Sequence, residues 1–286
     1  MRARQVLLET GRFSSYLQRV QSTAERLLER DQPLLIGHRG YCTMAPENTL
    51  PSFALALDAG ADLIELDYQQ SKDGVPMVIH DPTLDRTTDV RKKWKRRRIK
   101  VAQKTAAEIQ TLDAGAWFDA KFVGAKVPRL DEALDYICGR GGVPLIEHKS
   151  GDAATLATML RERHLINKVV VISFNWKFLR ELHTLEPAQV LGALGPPVRL
   201  SNGRRPLHPR RRLSSRLNEL AKTGARIAVW NRKVSSRDVR AAHQRGVKVW
   251  VYTVDNVRVA RQLLRRGADA LISNRIEAIQ AAFEQV

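Results

Sequence analysis

The sequence predicts an α/β fold, a TIM (β/α)8 barrel with an insertion after its second strand. Three observations predict it. The chain has 286 residues, near the roughly 250 typical of a single-domain barrel. Eight short apolar runs alternate with amphipathic helical patterns, as parallel strands joined by crossover helices require. One Asp73-Gly74 turn breaks that alternation, and it is too tight for a parallel crossover, which needs about a dozen residues.

In chain order, residues 1–30 read as an N-terminal helical extension with apolar Val6, Leu7, Leu8, Leu27 and Leu28. Residues 31–286 then form the barrel. Strands are expected at residues 34–38, 62–67, 144–149, 169–173, 190–194, 226–230, 247–254 and 269–273. Their runs are short and continuously apolar, the pattern of strands covered on both faces. The first barrel helix is expected at residues 50–59, with Pro51 in its first turn and Gly60 as its stop. Further helices are expected at residues 131–138, 153–163, 177–184, 213–223, 236–245 and 257–266. Gly224, Gly246 and Gly267 each separate a helix from the next strand. The Asp73-Gly74 turn folds a hairpin strand, residues 76–80, back on the second strand. It opens an insertion over residues 69–128 or so, leaving from the carboxyl end of a barrel strand. Barrel active sites sit on that face, so the insertion is expected to cap the site.

Composition narrows the function. Hydrophobic residues make up 43% of the chain, too many for a disordered protein. No run of 18 apolar residues exists, so no membrane-spanning helix is expected. Glu9, Gly11 and Arg12 interrupt the start, which is not expected to act as a secretory signal. Cys42 and Cys138 give no metal-binding spacing. A reducing cytoplasm is the expected location, with a peripheral position at the membrane as its variant. The net charge of +18 is concentrated: residues 91–100 carry eight basic groups, and residues 199–216 carry seven, neither with an acid.

Candidate chemistry lies at strand ends. Glu65 and Asp67 are two apart on one strand and share a face. Glu147 and Lys149 share a face of the next barrel strand. Unpaired carboxylates are not tolerated inside a barrel, so two readings stand for Glu65, Asp67 and Glu147. They form an oxygen cage for Mg2+ or Ca2+, or they pair with arginines around the rim. Zinc would call for histidine or thiolate ligands at a spacing the chain lacks. His38 and His80 close strand-like runs and suit general acid and base work beside a phosphate, although a lone histidine is commonly structural. Arg39 offers a bidentate fork for phosphate oxygens, and Gly40 allows close backbone approach.

Six motifs occur in order: His38-Arg39-Gly40, Pro46-Glu47-Asn48-Thr49, Glu65-Leu66-Asp67, Asp73-Gly74, His80-Asp81 and Glu147-His148-Lys149. With them the chain resembles the glycerophosphodiester phosphodiesterase family over roughly residues 33–275. The resemblance implies a TIM barrel with an insertion after strand two. It implies hydrolysis of glycerophosphodiesters to glycerol 3-phosphate and an alcohol, dependent on one divalent cation, Mg2+ or Ca2+. By similarity Glu65, Asp67 and Glu147 hold the metal, His38 and His80 are the catalytic pair, and Arg39 and Lys149 contact the phosphodiester. Tyr252 stands where members often have tryptophan and supplies an aromatic wall for the alcohol. Ser273-Asn274-Arg275-Ile276 replaces a frequent Thr-Asp-x-Pro, and Asn175 an acid; both changes fall on the substrate pocket. His148 alternates away from its neighbours and is expected against a helix.

Two other functions are weighed. Lysophospholipase D-type cleavage would need an apolar groove near Trp94, Trp117 and Phe118. A catalytically silent barrel would use residues 91–100 and 199–216 to bind membrane or nucleic acid, but it has no use for the histidines and carboxylates. The small-molecule phosphodiester is the expected partner. For the basic segments an anionic membrane surface is preferred to nucleic acid, since only Trp94 interleaves with the charges.

Overall fold

The computed structural model describes residues 24–208 and 212–283. Most of the extension expected over residues 1–30 lies outside them; its end is a short helix, Ala24–Leu28, with Ala24 and Leu27 buried.

Nine strands form one sheet: β1 Leu34–Gly37, β2 Leu63–Gln70, β3 Pro76–Val78, β4 Val143–His148, β5 Val170–Ser173, β6 Val190–Gly195, β7 Ile227–Asn231, β8 Lys248–Tyr252 and β9 Ala270–Ser273. Eight of them are parallel and run β1-β9-β8-β7-β6-β5-β4-β2, and β1 pairs back onto β2 to close the ring. Every strand expected from the apolar runs is present. The closed (β/α)8 barrel is therefore the architecture.

Alternation along each strand sets what fills the barrel. Leu34 and Ile36 of β1, Leu145 of β4 and Val229 of β7 belong to one apolar cluster, into which Leu27 also packs. A second cluster lies between the sheet and the helices, with Phe53, Ile137, Leu160 and Leu182 contributed by successive crossovers. The glycines before strands work as expected: Gly224, Gly246 and Gly267 all have φ between 69° and 92°, which a side chain would disfavour.

The hairpin is also present. β3 runs antiparallel to β2, with Tyr68 opposite Val78 and Gln70 opposite Pro76. It is shorter than expected, ending at Val78, so His80 lies two residues beyond the strand rather than closing it. The following insertion has its own apolar core, including Met77, Leu84, Val90, Val101, Ile109 and Leu112. Two helical details differ. The helix expected at 213–223 begins as a 3-10 turn, Leu213–Arg216, before Leu217–Ala221. The expected helices stop at residue 266, yet Ile276–Phe283 forms an eighth crossover-type helix that buries Ile276, Ile279 and Ala282.

Candidate active site

The residues singled out by sequence meet at the carboxyl-terminal mouth. A cleft of about 200 Å³ is lined by His38, Arg39, Glu65, His80, Glu147 and Lys149 on a polar side, and by Ile172, Phe174, Leu194, Tyr252 and Ile272 on an apolar one. The parity of the strands explains the division. Glu65 and Asp67 continue the inward-facing series that starts at apolar Leu63, and Glu147 continues Val143 and Leu145. In register, Asp67 lies beside Glu147.

One oxygen from each of Glu65, Asp67 and Glu147 lies within 4.8 Å of the others, although these residues are only 1%, 0% and 7% exposed. Burial, then the neighbouring acids, pushes the Glu65 carboxyl well above its usual range and Glu147 up to about 7. Asp67 goes the other way: burial raises it, but Lys149, Arg39 and His80 outweigh that and hold it low. Glu65 Oε1 is buried without a hydrogen-bond partner, a costly arrangement unless something cationic takes it up. Three hard oxygens and no thiolate fit Mg2+ or Ca2+.

The chain turns sharply after β1 to build the rest. Arg39 and Gly40 have φ of 55° and 81°. A Cβ on Gly40 would lie 2.4 Å from Ser52 Oγ and 2.7 Å from the Ser52 carbonyl carbon, so the glycine serves this turn rather than the approach of a ligand expected from sequence. The turn lets the Arg39 backbone N–H donate to Glu65 Oε2 at 2.7 Å. It also brings the Arg39 guanidinium to Asp67 at 3.3 Å and Glu47 at 2.8 Å. Lys149 Nζ reaches Asp67 Oδ1 at 3.1 Å and also pairs with Glu147. The cationic partners of the cage are thus these two cleft residues, not arginines around the rim.

Each histidine is held by an oxygen. His38 Nδ1 is 2.6 Å from Asn274 Oδ1. Asn274 is itself fixed by Asp255, which accepts from its backbone N–H at 2.8 Å and its Nδ2 at 2.7 Å. The amide oxygen therefore faces His38, and His38 Nδ1 carries the hydrogen. Burial, then Arg39, lowers the His38 pKa below 6.5 despite the Asn274 bond, so the ring is neutral with Nε2 bare. His80 Nδ1 donates to Asp81 Oδ1 at 2.7 Å. Asp81 in turn shares Arg86 with Glu47, through contacts of 2.7 to 3.0 Å.

Tyr252 lines the apolar side, its hydroxyl donating to the Gly195 carbonyl at 2.8 Å. Asn175 does not reach the pocket; it caps the helix Trp176–Leu185, and its neighbour Phe174 is the wall residue. Trp94, Trp117 and Phe118 are not among the residues that line the cleft. Trp94 packs on the insertion core under Lys104, and Trp117 stacks edge-on with Phe118. His148 meets a helix, as expected, stacked on Phe178 with ring centroids 3.5 Å apart.

Sequence reading did not assign roles to Glu47, Asn48, Asp81, Arg86, Asp255 or Asn274. Asn48, with φ of 59°, donates to Asp67 Oδ2 at 2.9 Å and accepts from the Asp67 N–H at 3.1 Å. The Pro46-Glu47-Asn48-Thr49 and His80-Asp81 motifs were the signal for three of these. The Ser273-Asn274-Arg275-Ile276 departure marked Asn274, and nothing local marks Arg86 or Asp255.

A buried acid cage, two imidazoles and balancing cations in one cleft suit chemistry on an anionic ester, and on this barrel they define a phosphoester-cleaving enzyme. Residues 38–278 match the Glycerophosphoryl diester phosphodiesterase family, and the chain belongs to it. It is 31% identical over 252 residues to a glycerophosphodiester phosphodiesterase of Caldanaerobacter subterraneus, covering 86% of this chain and 96% of that one. A Bacillus subtilis glycerophosphodiester phosphodiesterase is also 31% identical, over 87% of this chain and 85% of its own. Among solved structures, the Agrobacterium tumefaciens glycerophosphodiester phosphodiesterase is similar with a TM-score of 0.71 at 31% identity, over 87% of this chain and all of that one. An Oleispira antarctica phosphodiesterase in complex with the product sn-glycerol-3-phosphate is similar with a TM-score of 0.75 at 27% identity, over 89% of this chain and 98% of its own.

Proposed function

We propose that the chain hydrolyses glycerophosphodiesters to glycerol 3-phosphate and an alcohol, with Glu65, Asp67 and Glu147 holding a divalent cation, Mg2+ or Ca2+. The observation that carries the reading is the convergence of those acids with His38 and His80 in one cleft. Family membership and the sn-glycerol-3-phosphate complex of the Oleispira antarctica relative support the substrate class. A bound cation would supply Lewis-acid stabilisation of charge developing on phosphate.

The protein's own groups divide the proton transfers. His38, neutral with its bare Nε2, takes a proton from the attacking hydroxyl, either of water or of the neighbouring glycerol carbon; the second route gives a cyclic phosphate that water then opens to glycerol 3-phosphate. His80 gives a proton to the leaving alcohol, its ring held through Nδ1 by Asp81. Arg39 and Lys149 spend part of their donors on the cage. Both retain others and line the cleft, where they hold the ester's non-bridging oxygens. Phe174, Leu194 and Tyr252 receive the apolar part of the substrate.

That apolar wall favours a second substrate class, single-tailed lysophospholipids, received by Phe174, Leu194 and Tyr252 and not by the expected groove near Trp94. The test is a release assay over glycerophosphodiesters and lysophospholipids, with and without EDTA and with Mg2+ or Ca2+ restored. His38→Ala and His80→Ala are assayed alongside on a substrate with a nitrophenol leaving group. His80→Ala should recover with that leaving group, which needs no proton, and His38→Ala should not. Turnover that ignores the chelator would overturn the metal reading, and recovery of the wrong variant would exchange the two histidines.

A further inference from the structure

The loop after β6 combines features the reaction does not use. Its first part is tied to the cleft wall: the Val198 N–H donates to the Phe174 carbonyl at 3.0 Å, and the Trp176 N–H to the Arg199 carbonyl at 3.0 Å. Phe174 lines the cleft, so this loop borders the apolar side of the mouth. Val198 is 60% exposed and Leu207 is 94% exposed. Arg199, Arg204, Arg205 and Arg212 are exposed beside them, and none takes part in the ion pairs among the described residues. Lys95, Arg96 and Arg97 in the insertion are likewise exposed without an acid partner there.

Unneutralised cations beside a fully exposed aliphatic side chain suit a surface that is anionic outside and apolar beneath. Single-stranded nucleic acid would instead call for aromatic stacking groups, and residues 196–216 contain no Phe, Tyr or Trp; a duplex, bound through its phosphates, has no use for the exposed Leu207. We propose that the loop after β6 docks the barrel mouth onto an anionic lipid surface, with Arg204 and Arg205 on headgroup phosphates and Leu207 in the acyl boundary. The cleft then opens toward the membrane through its apolar wall. Because the loop stands outside the catalytic groups, docking and turnover are separable.

The test is co-sedimentation with vesicles of phosphatidylglycerol and phosphatidylcholine, against phosphatidylcholine alone, at 0.15 M salt. It uses the full chain, the double variant Arg204→Glu with Arg205→Glu, and Leu207→Asp. Turnover of soluble glycerophosphocholine and binding of a duplex DNA are measured in parallel. Each basic side chain near an anionic surface strengthens binding about fivefold, so the double variant should lose at least about 25-fold. Leu207→Asp should lose roughly tenfold. Turnover of the soluble diester should stay within about twofold for both. Wild type failing to bind the anionic vesicles, variants binding as wild type does, or DNA bound in preference to vesicles would each overturn the proposal. Soluble turnover lost in every protein would instead strike the phosphodiesterase reading and leave the docking result standing.

Discussion

Asn274 Oδ1 lies 2.6 Å from His38 Nδ1, joining residues 236 positions apart in the chain. An amide here, where the family often has an acid, gives His38 a partner that orients the ring without adding charge. The bond fixes which ring nitrogen is bare, and burial keeps the ring neutral.

Replacing that amide by a carboxylate changes the charge at almost constant shape. Asn274→Asp should raise the His38 pKa by about one unit through the added negative charge. A base must be neutral to work, so the acid limb of kcat/KM should move to higher pH by the same amount. Asn274→Ala should lower kcat/KM by about 10²-fold, with little change in melting temperature. A pH profile of the three proteins checks both; an unmoved acid limb in Asn274→Asp would remove His38 as the base.

Arg86 joins Glu47 of the barrel to Asp81 of the insertion with both carboxylates bound. Its hydrogen bonds hold Asp81 well below the usual range. At Glu47 burial is the largest single effect and raises the carboxyl, but Arg86 and Arg39 together outweigh it and hold the group low. Carboxyls depressed in the folded state add stability above their unfolded values, near pH 4, which is lost as pH falls through the folded ones. Wild type should therefore lose stability below about pH 4, and Arg86→Ala should show a flatter acid limb in urea titrations. Arg86→Lys should recover only part of it, lacking the planar fork. kcat should fall in both as His80 loses its fixed partner.

Metal binding should release protons. Glu147, with its pKa near 7, and Glu65, raised well above its ordinary range by burial and the neighbouring acids, must both ionise to bind a cation, so Mg2+ or Ca2+ affinity should rise from pH 6 to pH 8. Calorimetry in two buffers of different ionisation enthalpy measures the proton count directly. The same cations should raise the melting temperature, and Glu65→Gln should abolish that rise.

Asn48 makes two hydrogen bonds to Asp67. Asn48→Ala should cost about 1–3 kcal/mol by leaving the buried carboxylate short of donors. Asn48→Asp should cost more, placing a second acid against it. Thermal melts of the apo and metal-loaded forms check the order; added cation should narrow the gap between the two variants.

Most of the barrel is written in local pattern. Short apolar runs, glycine stops and the Asp73-Gly74 turn locate every strand, because each signal depends on neighbours a few residues away. The helix Ile276–Phe283 was missed because eight residues with one apolar face make a short signal and no glycine closes them. The local pattern carries the strand to His80 because Pro76 to Ile79 are all apolar and no turn residue intervenes before it. The structure stops that strand at Val78, where the chain leaves β2 for the insertion core.

Strand parity puts Glu65 with Asp67, and Glu147 with Lys149, on common faces, but it leaves a metal cage and pairing with rim arginines equally open; the ordered motifs, through the family resemblance, pointed to the cage and to His38 and His80. What that parity cannot supply is a partner from another turn of the ring. Asn274 for His38, Asn48 for Asp67, and Arg86 between Glu47 and Asp81 exist only once β1 closes between β9 and β2 and the insertion brings Arg86 against Glu47. Periodicity, a property of the chain alone, carries the barrel and its insertion, and the ordered motifs carry the candidate groups of the site. Tertiary structure decided how each group is charged and aimed, since burial and long-range hydrogen bonds arise only when distant segments meet.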